Sequence, residues 1–149
     1  TTPNMRIFEK MAVVLGGGMN HRMGLYDMVM IKDNHVDFAG GIRQAIEAEH
    51  AYLARLGKKL KIEIEVRNFD ELDQVIKAGG VDRVMLDNFT PADLQKAVEI
   101  IGRKFETEAS GGIKLENIRE YALTGVDFIS VGAITHHIKS LDLSLKAVK

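Results

Sequence analysis

Residues 16–35, which read GGGMNHRMGLYDMVMIKDNH, hold the densest group of positions that could do chemistry. Three successive glycines allow the backbone to turn tightly and to approach a ligand closely. His21 and Arg22 follow, and this pair suits the binding of carboxylate or phosphate oxygens. Residues 28–31 then read as a short apolar strand, and the polar sequence Lys-Asp-Asn-His begins directly after it at Lys32. Because an apolar strand seldom ends in four polar side chains without a reason, we predict that this end faces a binding site.

Polar or small residues recur downstream at nearly constant spacing. They are Glu65, Asp87, Glu108 with the turn Ser110, Gly111 and Gly112, and the turn Val131, Gly132 and Ala133. The carboxylates can hold ribose hydroxyls or a phosphate-bound Mg²⁺. The glycine turns can offer backbone N–H groups at helix N-termini to a phosphate. Together with Arg22 and Lys32, these residues predict a pocket for a phosphorylated, anionic substrate.

The hydrophobic pattern alternates between strand and helix. Strands are predicted over residues 28–31, 60–66, 83–86, 105–109 and 127–131, and helices over residues 3–15, 42–56, 69–78, 91–104 and 115–123, with a last helix near His136. Thr90 and Pro91 form a clear helix start, and Asp70 is a possible cap of the preceding helix. Such alternation is typical of an α/β fold with βαβ units and a parallel sheet.

The repeat length favours one type of α/β fold. Glu65, Asp87 and Glu108 are 22 and 21 positions apart, and Ser110 and Gly132 are 22 apart. This suits a TIM-like (β/α) barrel of parallel strands better than an open doubly wound sheet. A complete barrel has eight strands in about 250 residues, so we expect a barrel that is incomplete at its N-terminal side. Active sites lie at the carboxyl ends of barrel strands.

By that rule the site contains Lys32, Glu65, Asp87, Glu108 with the turn 110–112, and Gly132. Among these, Lys32, Glu65 and Asp87 are the candidate catalytic residues. Glu63 shares a strand face with Glu65, but Glu65 is closer to the strand's carboxyl end. The roles of the residues after Lys32 stay open between substrate binding and bracing of the loop; these residues are Asp33, Asn34 and His35.

Composition excludes several classes of function. The 149 residues are 46% hydrophobic, enough for a sizeable core, and carry a net charge of −1, which gives no bulk attraction to nucleic acid or anionic membranes. No apolar run approaches the roughly 20 residues of a membrane span. The absence of cysteine removes a thiol nucleophile and is consistent with a cytoplasmic location. We predict no metal held by protein side chains alone.

Four segments, in this order, resemble the quinolinate phosphoribosyltransferase family. They are GGGMNHRMGLYDMVMIKDNH, IEIEV with VMLDN, EASGGI, and GVDFISVGAITHH, and the resemblance covers essentially the whole chain. The family transfers phosphoribosyl from phosphoribosyl pyrophosphate to quinolinate with decarboxylation. The implied products are nicotinate mononucleotide, pyrophosphate and CO₂, on the de novo route to NAD, with Mg²⁺ accompanying the sugar pyrophosphate.

The resemblance also implies residue roles. Arg22 with His21 would bind a quinolinate carboxylate, and Lys32 would serve quinolinate and pyrophosphate. Glu65 and Asp87 would hold the ribose and the metal. The 5′-phosphate would be bound by two turns, formed by Ser110, Gly111 and Gly112 and by Val131, Gly132 and Ala133. His136 would lie near the pyrophosphate.

Family members carry an N-terminal α/β domain and an earlier Arg-Lys pair, neither of which is present in these residues. The resemblance therefore implies that residues 1–149 are the C-terminal barrel portion, inactive alone, of a homodimer or higher homo-oligomer. Two alternatives remain: a related phosphoribosyltransferase for another aromatic acid, and a non-catalytic phosphate-binding fragment.

Overall fold

A computed structural model describes residues 1–136, 138 and 141–148. His137, the last residue of the segment GVDFISVGAITHH, lies outside the described residues. The elements in chain order are α1 (Arg6–Leu15), β1 (Val29–Ile31), α2 (Asp33–Ala39), α3 (Ile42–Leu56), β2 (Ile62–Val66), α4 (Phe69–Ala78), β3 (Arg83–Asp87), α5 (Pro91–Ile101), β4 (Glu106–Ser110), α6 (Ile118–Ala122), β5 (Phe128–Ile129) and α7 (Ala133–His136).

The chain divides into two compact units. The larger unit is His21–Val131 and contains the whole described sheet, and the smaller unit combines Thr1–Asn20 with Gly132–Lys149. Within the smaller unit, α1 contacts α7. No helix in the described part of the chain is long and apolar enough to cross a membrane.

The five strands form one parallel sheet in the order β1-β2-β3-β4-β5. This confirms the α/β class and the parallel sheet. The strand order follows the chain order without the reversal that defines a doubly wound sheet, as in a (β/α) barrel. Among the described residues, β1 and β5 are the edge strands.

The two faces of the sheet differ sharply. Along β2, Ile62, Ile64 and Val66 point to one side and join a core with the buried residues of α3, α4 and α5. Glu63 and Glu65 alternate with them and belong to the opposite face. That face carries the polar side chains of the strands. The apolar side chains of the other face form the core that stabilises the unit.

Local signals explain where prediction succeeded. The bounds predicted for α3 and α4 are confirmed, and Thr90 accepts a hydrogen bond from the Asp93 N–H as the N-cap of α5. Asp70 was wrong as a cap: Asn68 accepts from the Glu71 N–H at 2.9 Å. The helix α5 ends at Ile101, three residues earlier than predicted, because the next residue is a glycine in the left-handed conformation.

Other boundaries were wrong. The prediction missed α2 entirely and started α1 three residues too early. It also made α6 too long, since that helix spans only Ile118–Ala122, and it gave β5 five residues instead of two. Short elements such as these depend on tertiary packing more than on hydrophobic periodicity.

Candidate functional site

The carboxyl ends of the parallel strands bring the predicted catalytic residues to one edge of the sheet. Asp87 at the end of β3 is in register with Ser110 at the end of β4. Glu65 lies one residue before the end of β2, and Lys32 follows β1 directly. We define the outer cluster as Lys32, Glu65, Asp87, Asn88 and Ser110. The strand pairing thus places the predicted residues Lys32, Glu65, Asp87 and Ser110 at one edge, and their catalytic and binding roles stay predictions.

Electrostatics couple three members of the outer cluster. Burial raises the pKa of Glu65, the negative charge of Asp87 raises it further, and the positive charge of Lys32 opposes both. Lys32 is exposed, whereas Glu65 and Asp87 are half-buried. A cation facing two adjacent carboxylates can hold an anionic group on one side and sugar hydroxyls on the other.

Asn88 links the Asp87 carboxylate to the glycine turn, a role that the sequence reasoning missed. Its Nδ2 donates to Asp87 Oδ2 at 2.6 Å, and its backbone N–H donates to the Ser110 carbonyl at 2.8 Å. Its φ is +56°, a left-handed conformation that asparagine tolerates better than most residues. The Asp-Asn pair immediately after an apolar strand was the available signal.

The turn after β4 requires glycine at one position by close approach. Gly111 has φ +95°, and a Cβ added to it would lie 2.3 Å from Asn88 Oδ1 and 2.8 Å from the Asn88 backbone nitrogen. Gly112 has φ +61° with open space around it. Within the described chain, no hydrogen bond uses the amide N–H of Gly111 or Gly112. These two amides are therefore available to an anion.

The prediction that this turn opens a helix is wrong. The next helix, α6, begins at Ile118 and has only five residues. The intervening turn is closed locally, because Asn117 Oδ1 accepts from the Lys114 N–H at 2.7 Å. Anion binding at Gly111 and Gly112 would therefore depend on the amides themselves and not on a helix dipole.

The second predicted phosphate turn is divided between the two units. Val131 belongs to the larger unit, and Gly132, Ala133 and His136 belong to the smaller one. Within the smaller unit, the Gly132 carbonyl accepts from the backbone N–H groups of Thr135 and His136. A Cβ added to Gly132 would lie 2.5 Å from His136 Nε2. The roles of these residues in phosphate or pyrophosphate binding stay predictions.

His21 and Arg22, although adjacent, bind different groups of the protein. His21 Nε2 lies 2.6 Å from Glu63 Oε2 and 3.6 Å from Glu108 Oε1. Arg22 Nη1 donates to the carbonyl of Met28, just before β1, at 3.3 Å. Both side chains are half-buried. The prediction placed both on one ligand carboxylate, and the structure ties His21 to two glutamates of the polar sheet face.

These glutamates belong to a second group of charges deeper on that face. We define the inner cluster as His21, Glu63, Arg83, Glu108 and Ser130. Arg83 Nη1 donates to Glu108 Oε2 at 2.7 Å, and Ser130 Oγ donates to Glu108 Oε1. Glu63 and Glu108 are both buried.

Arg83 makes further contacts outside the inner cluster, and the charges within the cluster shift the pKa of Glu108. Arg83 also donates to Glu106 on β4, and its guanidinium lies 3.9 Å from the ring centre of Phe128. Burial and the charge of Glu63 raise the pKa of Glu108, although Ser130, His21 and Arg83 act in the opposite direction. The sequence placed Glu108 among the strand ends, but it lies in the middle of β4 because Ser110 ends that strand.

The donor atoms of His21, Glu63 and Glu108 lie within 4.8 Å of one another, a spacing that a metal ion could use. However, Glu108 already accepts from Arg83 and Ser130, and His21 Nε2 already contacts Glu63. An adjacent guanidinium also opposes a second cation. We therefore interpret the inner cluster as an ion-pair and hydrogen-bond network.

His35 braces the residues after β1. Its Nδ1 accepts a hydrogen bond from the Lys32 backbone N–H at 3.0 Å, at the start of α2. Asp33 Oδ1 accepts locally from the Asn34 N–H. Of the two roles left open by the sequence, bracing is the one this contact supports for His35.

Comparison with known proteins identifies the family. Residues 1–146 match the family model described as quinolinate phosphoribosyl transferase, C-terminal domain. The chain therefore belongs to this family.

Relatives from plants and bacteria agree with this assignment. Over 160 aligned positions the chain is 46% identical to the chloroplastic nicotinate-nucleotide pyrophosphorylase [carboxylating] of Arabidopsis thaliana, covering 98% of the chain and 46% of that protein. It is 43% identical to the probable nicotinate-nucleotide pyrophosphorylase [carboxylating] of Bacillus subtilis, covering 97% and 49%. The chain thus spans about half the length of these relatives.

Solved structures share the fold. The nicotinate-nucleotide pyrophosphorylase of Francisella tularensis superposes with a TM-score of 0.88 at 49% identity, covering 97% of this chain and 50% of that one. NadC from Streptococcus pyogenes superposes with a TM-score of 0.90 at 39% identity, covering 99% and 50%.

Proposed function

We propose that this chain supplies the phosphoribosyl-transfer site of a quinolinate phosphoribosyltransferase in NAD biosynthesis. The reaction joins quinolinate to phosphoribosyl pyrophosphate and releases pyrophosphate and CO₂, leaving nicotinate mononucleotide. The observation that carries the proposal is the outer cluster, where a lysine, two carboxylates and a turn with two unused amides lie at one sheet edge. The family assignment supports the same reaction.

Both substrates are anionic, so the site must supply positive charge and hydrogen-bond donors at several positions. Quinolinate is a dianion, and its approach to an anionic sugar pyrophosphate requires cations that offset the repulsion. Arg22 and His21 would bind a quinolinate carboxylate, and Lys32 would face quinolinate and pyrophosphate. The amides of Gly111 and Gly112, beside Ser110, would bind the 5′-phosphate, with Val131, Gly132 and Ala133 as a second phosphate turn and His136 near the pyrophosphate.

The chemistry follows from bond breaking at the sugar. When the anomeric C–O bond to pyrophosphate breaks, its electron pair leaves with pyrophosphate and positive charge develops on the ribose. The carboxylates of Glu65 and Asp87 would stabilise that charge, as in glycosyl transfer generally. The ring nitrogen of quinolinate then bonds to the anomeric carbon and becomes a pyridinium. When the 2-carboxylate leaves as CO₂, the electron pair of the broken C–C bond stays on the ring carbon, where the adjacent positive nitrogen stabilises it. A proton then bonds to that carbon.

Mg²⁺ would enter with the sugar pyrophosphate as part of that substrate. Mg²⁺ prefers oxygen ligands, often one or two carboxylates together with substrate phosphates. Glu65 and Asp87 fit this requirement, since they are half-buried carboxylates near the carboxyl ends of the neighbouring strands β2 and β3, and the charge of Asp87 acts on Glu65. The metal would neutralise phosphate charge and orient the leaving group.

The domain assignment and assembly are part of the proposal. We propose that residues 1–149 act as the C-terminal barrel domain of a longer enzyme and are inactive alone, and that the enzyme is a homodimer or a higher homo-oligomer in the cytoplasm. The plant relatives are named as chloroplastic or mitochondrial proteins, so cell fractionation is needed to test location. Light scattering after size-exclusion chromatography measures the oligomer.

The decisive experiment is Arg22→Ala in the natural polypeptide that carries these residues. We expect quinolinate KM to rise by about 100-fold or more, because a bidentate carboxylate ligand is lost. Phosphoribosyl pyrophosphate binding, measured by calorimetry, should change little. Arg43→Ala, on the exposed surface of α3, is the matched control and should leave both parameters unchanged.

Two results would overturn the proposal. Equal weakening of both substrates in Arg22→Ala would remove Arg22 from the quinolinate site. Turnover of the wild-type enzyme with a different aromatic acid, and none with quinolinate, would assign the fold to a related phosphoribosyltransferase.

A further inference from the structure

We propose that Glu63 is a positioning residue that holds His21 through Nε2 and so makes Nδ1 the ring atom that faces a ligand. The proposal rests on the proposed function in assigning His21 to quinolinate. The contact that carries it is the 2.6 Å hydrogen bond between His21 Nε2 and Glu63 Oε2.

The surroundings of Nε2 decide which ring nitrogen carries a hydrogen atom. Both groups near Nε2 are glutamate oxygens, from Glu63 at 2.6 Å and Glu108 at 3.6 Å. Ser130 and Arg83 donate to the two oxygens of Glu108, so both oxygens act as acceptors. Because both neighbours are carboxylates, we assign the hydrogen atom of this contact to Nε2, which leaves Nδ1 as the nitrogen directed to a ligand.

The ring orientation follows from the same contacts. With Nε2 directed at the buried glutamates, Nδ1 lies on the other side of the imidazole. No residue in the described part of the chain makes a hydrogen bond to Nδ1, and the side chain of His21 is 22% exposed. His21 therefore has one nitrogen held by the protein and one left for a ligand. Because a carboxylate only accepts, Nδ1 would bind quinolinate by donating, with both ring nitrogens carrying a hydrogen atom.

The burial of Glu63 supports a role for this residue in orienting His21. Its side chain is 0% exposed, and Oε1 has no hydrogen-bond partner among the described residues. A buried carboxylate with an unsatisfied oxygen is destabilising unless neighbouring charges compensate. Arg83 supplies positive charge nearby. Burial acts to lower the pKa of Arg83, and the negative charge of Glu63 is one of the influences that raise it. An apolar residue at position 63 would avoid the unsatisfied oxygen but would not orient His21.

The experiment uses ¹⁵N-histidine NMR and steady-state kinetics on the natural polypeptide that carries these residues. In the wild type, we expect the spectrum of His21 to show a hydrogen atom on Nε2. In Glu63→Gln, that preference should weaken, because an amide at position 63 can donate as well as accept. Quinolinate KM should rise about tenfold or more, a normal effect of losing a positioning contact, while the KM for phosphoribosyl pyrophosphate stays within about twofold.

The matched control is Glu106→Gln. Glu106 is a glutamate of β4 whose partners among the described residues are Lys61 and Arg83 and not His21. This control should leave the His21 spectrum and quinolinate KM unchanged. A purely structural role for Glu63 would instead raise both substrates' KM values together, which would overturn the proposal.

The wild-type spectrum keeps the proposal testable even if Glu63→Gln fails to fold. A hydrogen atom on Nδ1 with Nε2 bare would overturn it, as would an unchanged His21 spectrum in a folded Glu63→Gln protein. If the wild type shows no turnover with quinolinate, the proposed function fails, while the comparison of His21 spectra still decides whether Glu63 orients the ring.

Discussion

The outer and inner clusters occupy the same face of one sheet but differ in how their carboxylates are buried and paired. Glu65 in the outer cluster and Glu63 in the inner cluster are two residues apart on β2. Glu63 is fully buried and bonded to His21, whereas Glu65 is half-buried and makes no hydrogen bond with its side chain among the described residues. A displacement of two residues along a strand thus separates a carboxylate paired within the protein from one whose side chain makes no hydrogen bond among the described residues.

The difference lies in the partners supplied by neighbouring strands. In the inner cluster, Arg83 and Ser130 donate to Glu108 and His21 contacts Glu63, so both glutamates have partners within the protein. In the outer cluster, Asp87 is bonded by Asn88, and Lys32 is exposed. The proposed function accordingly assigns the sugar and phosphate contacts to the outer cluster, and the inner cluster holds His21 in position.

The largest effect on stability should come from Arg83→Leu. This change would leave Glu108 buried without the arginine that pairs with it, and removing one partner of a buried ion pair costs about 3–5 kcal/mol. Urea denaturation would measure the loss in free energy of unfolding.

Arg67→Leu is the control for this prediction. Arg67 pairs with Glu71 on the surface and its side chain is 45% exposed, so its loss should cost only about 0–1 kcal/mol. Similar losses for both arginines would contradict the distinction between a structural inner cluster and ordinary surface charge.

A smaller effect is expected from Gly111→Ala in the outer cluster. The added Cβ would press on the Asn88 backbone and side chain, and the positive φ adds strain, together about 1–3 kcal/mol. Asn88 would have to move, so phosphoribosyl pyrophosphate binding should weaken as well. Thermal unfolding and calorimetric titration measure the two effects.

Gly112→Ala separates strain from crowding. Gly112 also has a positive φ but no atom lies within 4 Å of an added Cβ, so only the conformational cost of about 1 kcal/mol remains. If Gly112→Ala weakened binding as much as Gly111→Ala, the close approach of Asn88 would not be the reason for a glycine at position 111.

Much of the outer cluster could be predicted from the sequence because strand ends are local features. The predicted strand ends located Lys32, Glu65, Asp87 and Ser110, and parallel pairing brings such ends to one edge. Asn88 was missed because its contribution depends on contacts with the next strand, which the local pattern does not reveal.

The inner cluster was largely beyond the sequence. The alternation in β2 placed Glu63 on the correct face, but nothing local indicated that His21, 42 positions earlier, would bond to it. Arg83 and Ser130 likewise gain their roles only from register across β3, β4 and the end of β5. Short elements such as α2 and α6 failed for a related reason, since packing and local caps determine their ends.

The smallest expected effect is on the titration of Glu65 in Asp87→Asn. Burial and then the charge of Asp87 raise the pKa of Glu65, so removing that charge should lower this pKa towards its ordinary value. A raised pKa means that the folded state binds more protons than the unfolded state, so the free energy of unfolding falls as pH rises from about 4.5 through the pKa of the folded protein. Asp87→Asn should reduce that pH dependence, measured by ¹³C titration of the Glu65 carboxyl and by unfolding at several pH values. Asp73→Asn on the surface of α4 is the control, because Asp73 pairs with Lys77 and is not one of the charges that shift the pKa of Glu65. If Asp87→Asn left the Glu65 titration where it was, the charge of Asp87 would not act on Glu65, and the proposal that they share one ribose or Mg²⁺ would lose its electrostatic support.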